Sequence, residues 1–336
     1  MPNKNLKPTF FMHRDFYSTP MTMDESHWIM KITIVIIFLF GIIGNIPMIF
    51  YFYRDKNLRI FSKSLLIFQT SWDILVALLP VMYKLLILFG NIDLRMMLVD
   101  IFCPIHMFLC ELILDLSNWT FMFLAIERLL LIVLIKNYRL NNLTLCNSFV
   151  TMVALAAILG TKNGLCLLSV KENGKCYLPP GYKIDVFTCI NMVFKIVVPA
   201  LTVTVSSMAM IFIVKKSQQK LDKDISQINF SSLHMTRRKM LTAVYISFIW
   251  GLYFALSSLP YAISQIFIVW VDKSFITASM LDMIEGFGIL FFSNCCVKTV
   301  FHLSISSQFR EKFIHLLVKL FKPQIKLLSN ISRNNQ

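Results

Sequence analysis

Residues 101–128 read IFCPIHMFLCELILDLSNWTFMFLAIER. The run is largely apolar and exceeds the roughly 20 residues a helix needs to cross the hydrocarbon core of a bilayer. Cys103 stands near its start, and Glu127-Arg128 closes it. Two carboxylates, Glu111 and Asp115, interrupt the apolar body. They are one helical turn apart and share a face. Charge at that depth is costly unless a partner meets it, so this face should turn toward other parts of the protein.

Similar runs recur at about 29–53, 62–88, 147–169, 186–213, 241–269 and 279–302, which with 101–127 make seven. Of the 336 residues 57% are hydrophobic and 15% charged, whereas a soluble domain is nearer half apolar and about a quarter charged. Mean hydropathy is +0.67. The expected fold is an all-α membrane protein, a seven-transmembrane helix bundle with a short amphipathic helix after the seventh span. Short connections leave no room for a second folded domain. The division is then 1–28, an extracellular N-terminal segment; 29–302, the membrane domain; and 303–336, a cytoplasmic amphipathic helix and tail. Residues 1–28 lack the apolar core of a cleavable signal peptide, so the first span is expected to act as its own membrane signal.

The formal net charge of +15 could point to nucleic acid, but its distribution points elsewhere. With the N-terminus outside, basic residues crowd the inner loops and tail. They include Arg54, Lys56, Arg59 and Lys63 in the first loop, and Lys215, Lys216, Arg237, Arg238 and Lys239 in the third. The outer segments hold fewer. The positive-inside bias orients the chain N-out and C-in, as expected of a multi-pass plasma-membrane protein whose charge meets acidic lipid and cytosolic partners, with no role for nucleic acid. After the last span, SSQFREKFIHLLVKLFKP (306–323) places Phe309, Phe313, Ile314, Leu317, Leu320 and Phe321 at helical steps opposite Arg310, Lys312, Lys319 and Lys322. That pattern fits a helix lying in the interface, ended by Pro323. In VKENGKCYLPPG (170–181), Asn173-Gly174 is a strong two-residue hairpin signal, so a small β-hairpin should carry Cys176. Most of the eight cysteines fall within spans, but Cys103 and Cys176 lie on the outer, oxidising side.

In order and spacing these landmarks resemble the rhodopsin-like G-protein-coupled receptors over nearly all of residues 29–322. GIIGNIP places Asn45 at that family's Gly-Asn position, and SLLIFQTSWDILVALLP places Asp73 at its buried aspartate with Pro80 beyond. Cys103 and Arg128 have the separation of the family's disulfide cysteine and the arginine of its Asp/Glu-Arg-Tyr motif. Pro199 marks span 5, and Phe254 precedes Pro260 in span 6. SNCCVKTVFHLSISSQFREKF (293–313) resembles the end of span 7. The departures are Leu129 for the motif's tyrosine, Ser258 for the span-6 tryptophan, Ser207 for a span-5 tyrosine, and Lys298-Thr299-Val300-Phe301-His302 for Asn-Pro-x-x-Tyr. The chain therefore resembles a divergent, orphan-like member.

What the resemblance implies is specific. Cys103 would pair with Cys176. Arg128, resting on Glu127, would meet a heterotrimeric G protein. The family's aspartate at Asp73 binds sodium with a span-3 serine and span-7 asparagines. Here Ser117 and Asn294 match, but Lys298 replaces the other asparagine, and its ammonium is expected either to sit on Asp73 or to snorkel to the inner surface. No other metal, and no cofactor, is implied. Tyr83, Lys84, His106, Tyr261, Gln265, Asp282 and Glu285 would line a wide polar mouth, resembling the peptide-binding branch and pointing to a neuropeptide ligand. Amine receptors carry an aspartate where this chain has Cys110. Glu111 and Asp115 against Lys195 leave one negative charge over, to be met by protonation or by a cationic ligand group. A small cationic ligand is thus an alternative, as is a decoy receptor that binds without signalling. A channel or transporter would show broken helices, repeats or charge rings. No His-Glu-x-x-His or comparable set offers catalysis, so an enzyme is not expected.

Overall fold

The computed structural model describes residues 25–55, 58–90, 100–133, 145–172, 175–177, 184–224, 231–271, 275, 277–305, 309–311 and 313–315. Six helical spans are long and apolar enough to cross a membrane: Trp28–Arg54, Ile60–Gly90, Phe102–Val133, Leu145–Leu168, Val186–Lys216 and Tyr245–Trp270. A seventh consists of Ser279–Phe292 and Asn294–Ser304, bent by 50°. Hydrocarbon offers no partner to a backbone N–H or C=O, so the chain satisfies its own by coiling. Helices of spans 5 and 6 continue through Asp224 and from Ser231, well beyond their apolar runs. Val205, Phe212, Ile158, Leu256 and Ile263 point outward from the bundle, each more than half exposed, as lipid-facing side chains do.

Interruptions in the helices decide where the polar groups go. Span 2 widens into a π turn at Ala77–Val81, which contains Pro80. Span 5 does the same at Val193–Val197, just before Pro199. Proline has no N–H for the ladder and crowds the preceding turn, and a π turn absorbs that conflict. Pro199 cannot donate to the carbonyl of Lys195, four residues back. That carbonyl instead accepts Asn118 Nδ2 at 3.0 Å, while Trp119 Nε1 donates to the Phe194 carbonyl at 3.1 Å. Two side chains of span 3 thus occupy backbone acceptors that the bulge released.

The bend in span 7 has no proline. Ser293 Oγ donates to the Leu290 carbonyl at 2.5 Å and Asn294 Nδ2 to the Phe291 carbonyl at 2.9 Å. Such local bonds compete with the helical ladder and bend it. Tyr253 of span 6 reaches Ser293 Oγ at 2.5 Å, fixing the bend against its neighbour.

Span 1 approaches span 7 through small residues. A Cβ added at Gly41 would lie 2.8 Å from Ala77 Cβ and 3.3 Å from Cys295 Sγ, and one at Gly44 would lie 2.8 Å from Thr299 Cγ2. That closeness lets Asn45 Nδ2 donate to the carbonyls of Gly41 (2.8 Å) and Cys295 (2.7 Å), the small-residue contact that membrane helices use. The main apolar core is built around Phe52, Leu116, Phe121, Trp250, Phe254 and Phe309, and a second cluster joins Ile34, Val81, Ile113 and Ile289.

Outside the spans, β1 (Val170–Glu172) and β2 (Lys175–Tyr177) pair antiparallel with Lys171 opposite Cys176. This is the expected hairpin; its Asn173-Gly174 turn lies outside the described residues. β1 packs against span 3. Residues 309–311 and 313–315 are helical, while the rest of the expected amphipathic helix, to Pro323, and residues 1–24 of the N-terminal segment lie outside the described residues. Gly41→Leu should lower the melting temperature of the purified receptor, since overpacking costs about 1–3 kcal/mol. Gly160→Ala, where nothing lies within 4 Å of the added Cβ, should leave it unchanged or raise it. Equal tolerance of the two would mean that spans 1, 2 and 7 are not closely packed at Gly41.

Candidate functional site

Deepest in the bundle, Lys298 of span 7 and Asp73 of span 2 form an ion pair, with side-chain exposures of 5% and 1%. Lys298 Nζ donates to Asp73 Oδ2. The other oxygen, Oδ1, accepts Ser117 Oγ at 2.8 Å and Gln69 Nε2 at 3.1 Å, and Gln69 Nε2 also reaches Ser117 Oγ at 3.1 Å. Both carboxylate oxygens are engaged, so Lys298 stands on the carboxylate where the resemblance implies sodium, and the residues present do not fit that ion. The ammonium also lies over two rings, 4.8 Å from the Trp250 centroid and 5.9 Å from that of Phe121. Those rings stack on each other at 4.2 Å. A cation held over aromatic faces away from water gains about 2 kcal/mol. One side chain of span 7 therefore binds span 2 by charge and spans 3 and 6 by ring contact.

Asn294, grouped with this centre by the sequence, faces elsewhere. It accepts Ser257 Oγ at 3.0 Å through Oδ1 and donates to Ser258 Oγ at 3.2 Å. The bend at Ser293 turns it onto span 6, onto the serine that replaces the family's tryptophan.

A second polar cluster joins spans 3, 4 and 5. Lys195, carried inward by the π turn of span 5, pairs with Glu111, and Asn191 Nδ2 donates to Glu111 Oε2 at 3.0 Å. The expected surplus negative charge is corrected by span 4. Lys162 pairs with Asp115 at 2.6 Å and donates to Asn191 Oδ1 at 2.6 Å, and Asn163 Nδ2 donates to Asp115 Oδ2 at 2.7 Å. Two carboxylates meet two lysines, and the set is neutral.

Toward the end of the bundle that holds Cys103, Lys84 pairs with Glu285 at 2.8 Å. Tyr83, His106 and Glu285 are buried rather than lining an open mouth. Tyr83 and Phe102 flank the His106 ring at 4.8 and 5.4 Å, and Cys110 Sγ lies 3.6 Å from its Nε2. Tyr261 stacks flat on Phe291 at 5.0 Å. Gln265 and Asp282 are half-buried. Cys103 is disulfide-bonded, and Cys110, Cys146, Cys166, Cys189, Cys295 and Cys296 carry thiols outside any disulfide.

At the opposite end Arg128 Nε lies 3.7 Å from Glu127 Oε2, a loose contact. Glu127 Oε1 accepts the Ser62 hydroxyl of span 2. Phe309 is buried against Tyr51 (4.9 Å) and His302 (5.6 Å), so His302 packs against the helix that follows span 7.

Gln69, Trp250, Ser62 and Asn191 were missed in the sequence. Gln69 is one turn from Asp73 and could have been found by that spacing. Trp250 could not, because only the packing of span 6 brings its ring to Lys298.

Seven apolar spans around buried ion pairs, with a disulfide at one end and Glu-Arg at the other, define a seven-helix membrane receptor. The profile of the serpentine type 7TM GPCR chemoreceptor Srsx matches residues 38–317, and the chain belongs to that family. It is thus a divergent G-protein-coupled receptor, a multi-pass membrane protein whose class works by ligand and G protein rather than by catalysis. No curated protein matches it.

Lys298→Ala strands a buried carboxylate, and removing one partner of such a pair costs about 3–5 kcal/mol. The melting temperature should fall sharply, and Asp73→Asn added to Lys298→Ala should recover most of the loss. A double variant as unstable as the sum of the two single ones would show that the pair is not coupled.

Proposed function

We propose that this receptor binds an extracellular neuropeptide at the outer end of the bundle and activates a heterotrimeric G protein through Arg128 at the inner end. The observation that carries the ligand class is the charge balance of spans 3, 4 and 5. Glu111 has Lys195 and Asp115 has Lys162, so neither carboxylate waits for the amine of a small cationic ligand. A peptide spreads its contacts over backbone and side chains and needs no single counter-ion. The half-buried side chains of Gln265 and Asp282 offer it hydrogen bonds, and the hairpin against span 3 forms one wall. Cys176, on β2, is the proposed disulfide partner of Cys103.

The family's description as chemoreceptors favours a second reading, a small uncharged chemical stimulus at the same site. The basic residues of the loops support an orientation with the N-terminus outside and the C-terminus in the cytosol, in the plasma membrane. Arg128 is half-buried and only loosely held by Glu127, so a G-protein helix could draw it away at little cost.

Peptide and small-molecule libraries screened in cells with a promiscuous G-protein reporter should give activation by a peptide. Responses confined to small amines would overturn the ligand class. Arg128→Ala should abolish agonist-dependent G-protein recruitment while surface expression and ligand binding persist. Wild-type receptor that binds ligand and recruits no G protein would be a decoy instead.

A further inference from the structure

A cavity of about 540 Å³ lies between the end of span 1 and the helical residues after span 7, within the roughly 300–1,000 Å³ of small-molecule sites. Phe50, Phe309 and Phe313 line it together with Arg54, Glu311 and His315. Phe309 is 1% exposed and forms the back. Arg54, Glu311 and His315 are exposed and form the polar edge. Phe50, 47% exposed, leaves one side open to the acyl region. The back wall is fixed in place, because Phe309 packs edge-on against Tyr51 at 4.9 Å and beside Phe313 at 5.5 Å. Arg310 Nη1 donates to the carbonyls of Leu303 (3.1 Å) and Ser304 (2.8 Å), which ties this helix to the end of span 7.

We propose that this cavity binds one phospholipid of the phosphatidylserine type, its acyl chain against the aromatic wall and its headgroup on the polar edge. The inner-leaflet source rests on the orientation given under Proposed function. A soluble anion would meet Arg54 and leave the aromatic wall empty; a phosphatidylcholine would offer Arg54 its phosphate but bring no carboxylate to His315 and no N–H donor to Glu311. A serine headgroup answers all three edge residues, its phosphate and carboxylate meeting Arg54 and His315 and its ammonium meeting Glu311. The inner leaflet is rich in such lipid.

The full-length receptor in nanodiscs, exposed to phosphatidylserine carrying a diazirine on its acyl chain, tests this. The probe should label peptides containing Phe50–Arg54 and Phe309–His315 several-fold more than the phosphatidylcholine analogue does. Combined Arg54→Gln and His315→Gln should remove that preference without lowering the melting temperature in detergent. Glu311→Gln should narrow the preference for phosphatidylserine over phosphatidylglycerol. Equal labelling by phosphatidylcholine, or labelling unchanged in the double variant, would overturn the proposal. So would cross-links from these peptides to residues 316–336, which would make the chain's own tail the occupant. Both leaflets of the disc carry the probe, so the result does not depend on which way the receptor faces. Antibody access to a C-terminal tag on intact cells tests the orientation separately.

Discussion

A charged side chain inside hydrocarbon cannot fall back on water, and it is tolerated only where the protein itself supplies the counter-charge. Lys84 with Glu285, Glu111 with Lys195, Asp115 with Lys162 and Asp73 with Lys298 each meet that condition between different spans. The pairs therefore do more than neutralise charge. Each fixes the rotation of two helices about their axes, because a helix turned by one residue would carry its charge into lipid. Buried pairs contribute little net stability relative to apolar packing, but losing one partner is costly. Their effect is to specify one arrangement of the bundle.

Lys298 carries this furthest. Its ammonium is held by Asp73 and lies over the ring of Trp250, so a residue of span 7 has a hold on span 6. A few residues away Asn294 and Ser293 take hydrogen bonds to Ser257, Ser258 and Tyr253. Span 6 is thus attached to span 7 at two heights along the segment that bends by 50°. Outward movement of span 6 would have to give up the ring contact, the serine bonds, or both. Charge on span 7 and the position of span 6 are linked through that geometry.

The seven spans were legible because hydrophobic length is a one-dimensional property. The apolar spans lie close to the expected positions, although the helices of spans 5 and 6 run on to Asp224 and back to Ser231. The hairpin was legible for a similar reason, since Asn173-Gly174 is a local signal. The pairing of Lys298 with Asp73 could be anticipated only by comparison with a family whose aspartate lies in contact with span 7. The partner of Asp115 was not legible. Lys162 lies on a different span, and nothing local in span 4 says that its face turns toward span 3. Asn294 was misplaced because the bend at Ser293 has no proline to announce it, being made instead by serine and asparagine side chains bonding back to their own helix. Rotation and bending are set by packing, which a linear pattern does not encode.

Central to all of this is that Lys298 permanently occupies the cation position beside Asp73. The direct measurement is the melting temperature of purified wild-type receptor as sodium replaces choline at constant ionic strength, beside that of Lys298→Asn. A flat response is expected in the wild type and a rise with sodium in the variant, whose vacated carboxylate can take the ion. A wild-type receptor that is itself stabilised by sodium would contradict permanent occupancy by the lysine.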